Sequence, residues 1–178
     1  MRAEKIEGYI TEYGNELFRF CCYLTGNKGK AEDLYQDTFL TALELQREVD
    51  KEAAKGFLVG IAANLWKNQW RKEKRRQKFI TQTEIPVDEM SFQNEGKASE
   101  KEDPLDIVVN KETETFVQRI VNALPERYRL IVLMYYSAEL TTAEIAKELH
   151  ISKGTVTSRL LRARDKIKKG LEASGYER

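Results

Sequence analysis

Residues 141–164 read TTAEIAKELHISKGTVTSRLLRAR, and this stretch decides the fold. Thr141 followed by Glu144 fits a capping box, in which the threonine hydroxyl accepts from the third backbone N–H and the glutamate reaches back to the first. The spacing predicts a short helix that turns Ile145, Ala146 and Leu149 inward, with a small residue at position 146 where a second helix crosses closely. His150, Ile151 and Ser152 make the turn; Ile151 plugs the core and Ser152 caps the next helix. Val156, Leu160 and Ala163 then recur at steps of four and three and face inward. The opposite face is left with Thr155, Thr157, Ser158, Arg159, Arg162 and Arg164. Two capped helices joined by a tight turn, the second with hydroxyls and guanidiniums outward, form a helix-turn-helix suited to the major groove. There arginine grips guanine through two hydrogen bonds and Ser or Thr bonds to bases or phosphates.

Moving outward, the helical period covers most of the chain. Ile6, Ile10, Tyr13, Leu17, Phe20 and Leu24 recur at steps of three and four. Asn27 reads as the N-cap of a second helix running to about Leu45, with Leu34, Thr38 and Ala42 on one face and Phe39 and Leu43 beside it. A polar stretch over 46–54 precedes a third helix, with Phe57/Leu58, Ile61/Ala62 and Leu65/Trp66 at four-residue steps and then Trp70. That helix continues into the basic run Arg71–Lys78. From Thr81 to Asp103 periodicity disappears, as in a flexible linker. Asp103-Pro104 then resembles a capped helix start, and Pro125 opens another helix containing Tyr128, Ile131, Val132 and Tyr135. No pair of alternating runs is joined by a two-residue turn. The expectation is an all-α protein: two small helical domains, 1–79 and 106–178, joined by a flexible acidic linker over 80–105.

The chain has 178 residues with 30 Lys+Arg against 29 Asp+Glu, a net charge of +1. That total is low for a nucleic-acid binder, which is usually basic, but it conceals segregation. Residues 66–79 carry seven basic groups and one acidic, and 147–178 carry nine against four. Residues 80–115 carry three basic groups against ten acidic. Two basic blocks are cancelled by an acidic middle.

Several classes are excluded. No apolar run approaches the ~18 residues of a membrane span, and the first residues lack the apolar core of a signal peptide, so a cytoplasmic location is expected. Cys21 and Cys22 are adjacent on one helix, where neighbours diverge, and are expected to be reduced packing residues rather than a redox pair. With His150 alone there is no Cys/His metal set, and His150 is expected to be solvated or capping. No phosphate-binding loop, dinucleotide fingerprint or nucleophile triad appears. No catalytic residue, metal, cofactor or small-molecule substrate is expected.

The remaining motifs carry a resemblance. Asp33-Leu-Tyr-Gln-Asp-Thr-Phe-Leu-Thr-Ala42, Gly56-Phe-Leu-Val-Gly-Ile-Ala-Ala-Asn64 and the basic tail are similar to region 2 of bacterial RNA polymerase sigma factors. Ala123-Leu-Pro-Glu-Arg-Tyr-Arg129, Thr142–Ala146 and Gly154–Leu160 resemble region 4. Nearly the whole chain, in order, resembles the extracytoplasmic-function (ECF) group, which keeps only these two regions. The resemblance implies that Asp33, Gln36, Asp37 and Phe39 contact the β′ subunit of core polymerase, the β subunit also being a partner. It implies that a loop at about 47–55 captures a flipped base, and that Asn64, Lys67, Trp70, Arg71 and Arg75 engage minus-ten promoter DNA. Trp66 on the same helix is expected in the core. Thr155, Thr157, Ser158, Arg159 and Arg162 would read the minus-thirty-five element. Regulation by an anti-sigma factor responding to an envelope or stress signal is implied too, as is an acidic linker threading the polymerase cleft. The sequence departs from the family where Phe57 replaces a common Trp and Gly60 a common basic residue. Two other readings start from the same residues: an autonomous helix-turn-helix regulator with an N-terminal sensor, and a polymerase-binding adapter.

Overall fold

A computed structural model describes residues 3–45, 48–81 and 116–175. The expected linker runs over 80–105; its first two residues belong to the third helix, which reaches Thr81. The rest of it, its acidic residues and the Asp103-Pro104 helix start lie outside the described residues, as do Arg47 of the expected base-capturing loop and Gln46 before it. The described residues are helical with no strand. One lobe holds α1 (Ala3–Thr25), α2 (Lys28–Glu44) and α3 (Lys51–Thr81). The other holds α4, helical over 116–123, then α5 (Glu126–Tyr136), α6 (Thr142–Leu149) and α7 (Lys153–Ala173).

In the first lobe the three helices pack on one another, and Leu17, Phe20, Leu24, Leu34 and Leu58 are fully buried. Each such side chain contributes about 1.5–3 kcal/mol relative to exposure. Asn27 caps α2 as expected, its Oδ1 accepting from Lys30 N at 3.0 Å. Gly26, at φ +66°, occupies the left-handed turn between α1 and α2, a conformation that glycine adopts without a Cβ clash. Thr38 is buried on the Leu34/Ala42 face because its hydroxyl donates to Leu34 O at 2.6 Å, which removes the penalty of an unpaired buried polar group.

Two details differ from the sequence reading. Ile10 is exposed while Tyr9 turns into the core; an aromatic ring with a hydroxyl buries its body and still reaches a polar partner, here Val49 O at 3.2 Å. The third helix starts at Lys51, so the expected loop over 47–55 ends five residues earlier, at residue 50. Lys, Glu and Ala at 51–55 favour helix, and Lys51 and Lys55 pair with Glu12 and Glu16 of α1, holding the new first turn in place.

In the second lobe α5, α6 and α7 pack together around Ile131, Met134, Ile145 and Val156. The capping box is present: Glu144 N donates to Thr141 Oγ1 at 3.3 Å and Thr141 N to Glu144 Oε2 at 2.8 Å. Ser152 caps α7, accepting from Thr155 N at 3.1 Å. His150 is the exposed C-cap of α6 in the left-handed region, φ 53° and ψ 44°. The two lobes also touch. Buried residues from both form one continuous core, with α3 against α6 and α1 against α5. The sequence predicts two domains and says nothing of this contact.

Candidate nucleic-acid and polymerase interfaces

Three polar faces carry the residues singled out above. On α2, Asp33, Gln36 and Asp37 are exposed. Phe39 is not: it is 7% exposed, its ring edge-on to Tyr35 at 5.1 Å, which in turn meets Phe18 edge-on. The expectation of Phe39 as a contact residue is corrected, because the ring lies on the buried side of the helix. Leu40 stands in its place, 57% exposed, and follows Asp33 and Asp37 at helical steps on the same face. The sequence signal for it is that Leu40 falls off the Leu34/Thr38/Ala42 stripe.

On α3, Asn64, Arg71 and Arg75 are exposed while Lys67 and Trp70 are half-buried. Trp66 is buried as expected, stacked on Trp70 at 5.5 Å and 28°. Trp70 therefore has one ring face on protein. Lys30 at the start of α2 pairs with Glu73 at 3.1 Å, fastening the projecting half of α3 and occupying the single carboxylate of its basic run.

On α7, Val156, Leu160 and Ala163 are buried as the spacing predicts. Thr157, Ser158 and Arg162 are exposed, and Thr155 and Arg159 half-buried. Thr157 donates to Lys153 O at 3.0 Å and Ser158 to Thr155 O at 3.2 Å. Hydroxyls bonded back to their own helix keep their lone pairs available as outward acceptors. Arg162 and Arg127 flank Tyr128: burial would raise that phenol, but these guanidiniums hold it below its usual value. Arg164 is occupied, its Nε donating to Tyr136 Oη at 2.7 Å and its guanidinium lying over the Tyr135 and Tyr136 rings. Leu161, 68% exposed, was missed by a search for hydroxyls and cations. It lies one turn from Thr157 and Ser158 and opposite the buried stripe.

Among the described residues no group of three or more His, Cys, Asp or Glu is placed to hold a metal ion, and no helix is long and apolar enough to cross a membrane. Cys21 and Cys22 are free; burial pushes the Cys21 thiol up to about 12.

Three helices on one side and a capped helix-turn-helix on the other define a two-lobed, all-helical protein with separate cationic faces. Residues 9–76 match the sigma-70 region 2 family and residues 117–167 the sigma-70 region 4 family. The chain is 31% identical over 156 residues to the ECF RNA polymerase sigma factor SigM of Bacillus subtilis (strain 168), spanning 88% of each. It is 29% identical over 159 residues to SigW of the same organism, 89% of this chain and 84% of the relative. Among solved structures it resembles the sigma factor RpoE in complex with the anti-sigma factor NepR from Bartonella quintana. That likeness has TM-score 0.66 and 22% identity, over 96% of this chain and 98% of that one. The chain belongs to the ECF group of the sigma-70 family.

Proposed function

We propose that this chain is a promoter-specificity subunit that binds core RNA polymerase, through β′ and β, and directs it to promoters. Residues 1–79 bind core and open the minus-ten element, 80–105 are the linker, and 106–178 read the minus-thirty-five element. Asp33, Gln36, Asp37 and exposed Leu40 form the core-binding face. Asn64, Lys67, Trp70, Arg71 and Arg75 track single-stranded DNA, where cations follow the phosphates and an aromatic ring stacks on a base. Thr155, Thr157, Ser158, Arg159 and Arg162, with Leu161, face the major groove. The chemistry of RNA synthesis belongs to the polymerase, so the chain itself is no enzyme and works in the cytoplasm. Control by an anti-sigma factor is supported by RpoE, whose solved structure holds one.

The single observation that carries the reading is that the two elements matching regions 2 and 4 each leave a cationic, polar face outside the shared core. Run-off transcription with purified core tests it. Specific initiation only when the chain is added is the expected result. Tight operator binding without polymerase would instead identify an autonomous regulator, and core binding without initiation an adapter.

A further inference from the structure

The two ends of α5 carry tyrosines that hold arginines of α7. At the far end, Arg164 is occupied by protein: its Nε donates to Tyr136 Oη at 2.7 Å and its guanidinium lies over two rings. At the near end, Tyr128 is fixed from its backbone outward. Its N donates to Pro125 O at 2.9 Å, and the residue is only 5% exposed. Two side-chain torsions separate that backbone from the phenol oxygen, and burial of the ring settles both. The oxygen then emerges among three cations. Arg127 Cζ lies 4.9 Å from the ring centroid and Lys166 Nζ 6.0 Å from it. The guanidiniums of Arg162 and Arg127 both hydrogen-bond to the hydroxyl.

Arg162 and Lys166 are four residues apart, so they share the side of α7 that turns toward Tyr128. Guanidinium carries donors only, so in both bonds the phenol oxygen accepts. Burial raises this phenol, but Arg162 and Arg127 outweigh burial and hold it below its usual value. Among the described residues no ion pair holds Arg127, Arg162 or Lys166, so their charge is left for an anion from outside. A phenylalanine would fill the same buried space. What the hydroxyl adds is a fixed acceptor beside an exposed arginine.

We propose that Tyr128 is a positioning residue for promoter reading: its hydroxyl sets the direction in which the Arg162 guanidinium leaves α7 and thereby sharpens the choice of one base pair. The proposal rests on the reading of α7 as the helix that enters the major groove. Arginine identifies guanine through two parallel bonds, to O6 and N7, so its angle matters as much as its reach. An untied arginine on an exposed helix face moves among many rotamers and loses that freedom on binding. Tied through part of its fork, Arg162 starts with less to lose and keeps further N–H groups for DNA, since a guanidinium has five. The effect falls on discrimination more than on overall affinity, because the hydroxyl leaves the number of cations facing the phosphates unchanged.

The test uses the full chain with core polymerase. A promoter found by mapping wild-type starts on sheared genomic DNA is randomised over its minus-thirty-five region, and the bound templates are sequenced. Arg162→Ala should flatten the base preference at one position. Tyr128→Phe, which keeps the buried ring, should reduce the preference at that same position about three- to tenfold, the contribution of one hydrogen bond. Other positions and the salt slope should stay as in the wild type, and the double variant should be no flatter than Arg162→Ala alone. If Arg162→Ala flattens no position, the reading of α7 fails and the proposal with it. If Arg162→Ala flattens one that Tyr128→Phe leaves intact, the positioning role alone is overturned. An equal loss at every position also overturns it, since that is general loosening. A second measurement needs no DNA. The difference in ultraviolet phenolate absorbance between the wild type and Tyr128→Phe isolates Tyr128, with a midpoint below the usual 10.0. The same difference taken in the Arg162→Ala background should titrate higher, because a cation that favours the phenolate is gone. An unmoved midpoint means that Arg162 is not held by Tyr128, and the proposal falls while the reading of α7 stands.

Discussion

Replacing Phe39 by alanine removes a ring packed edge-on against Tyr35 and should cost about 3–5 kcal/mol of stability, read from urea unfolding. Leu40→Ala removes an exposed side chain and should change stability by less than about 0.5 kcal/mol while weakening capture by core polymerase in a pull-down. If Phe39→Ala is the mild change, the face assignment on α2 is wrong. The two cysteines make a second test. With its pKa pushed up to about 12, Cys21 is about one part in ten thousand thiolate at pH 8, and the thiolate is the reactive form. Ellman's reagent at pH 8 should therefore label Cys22 in the native protein and Cys21 only on unfolding; because the pKa is raised, reactivity increases with pH. Sequence spacing placed Leu34, Thr38 and Ala42 inward correctly. It also put Phe39 beside that stripe and Leu40 off it, but how deeply Phe39 is buried depends on the neighbouring ring of Tyr35.

At the scale of elements, the capping chemistry was the most legible part. Asn27, Thr141 with Glu144, and Ser152 all cap as their spacing predicts, because a cap is a local bargain between a side chain and its own backbone. Thr141→Ala should cost about 1 kcal/mol. His150→Gly should go the other way by about 1 kcal/mol, since a non-glycine residue in the left-handed region is strained and His150 lies there at φ 53°; thermal melts of both variants check the pair of signs. On α7, Arg162→Ala should weaken binding to the chosen minus-thirty-five sequence more than Lys168→Ala, because Arg162 lies on the face proposed to read DNA and Lys168 pairs with Glu172 further along. Equal losses across promoter variants would remove Arg162 from base reading. On α3, Arg71→Gln and Arg75→Gln should each lower the salt dependence of single-stranded DNA binding by about 0.7 in the log–log slope. The start of α3 was less legible than its caps. Residues 46–54 are polar enough to be a loop, and it is the partners Glu12 and Glu16 on α1 that hold Lys51 and Lys55 in a helical turn.

At the scale of the whole molecule, the near-zero net charge is a sum of segregated blocks, and that segregation is visible in the chain alone. The contact between the lobes has a thermodynamic consequence. Lobes that share a continuous core should unfold together, so calorimetry of the native chain should give one transition. Gly60→Gln, whose side chain would collide with Glu148, should give two. The sequence by itself determined the helical class, the cap positions, the buried stripes and the order of the two regions, because these depend on period and local backbone bonding. Only the tertiary structure decided that the lobes touch, that Arg129 leaves solvent to bond the Tyr23 and Leu24 carbonyls at the end of α1, and that Glu148 lies over Gly60. Those depend on residues about a hundred positions apart meeting in space. No local spacing encodes such a meeting, since a buried guanidinium and an exposed one read the same in one dimension.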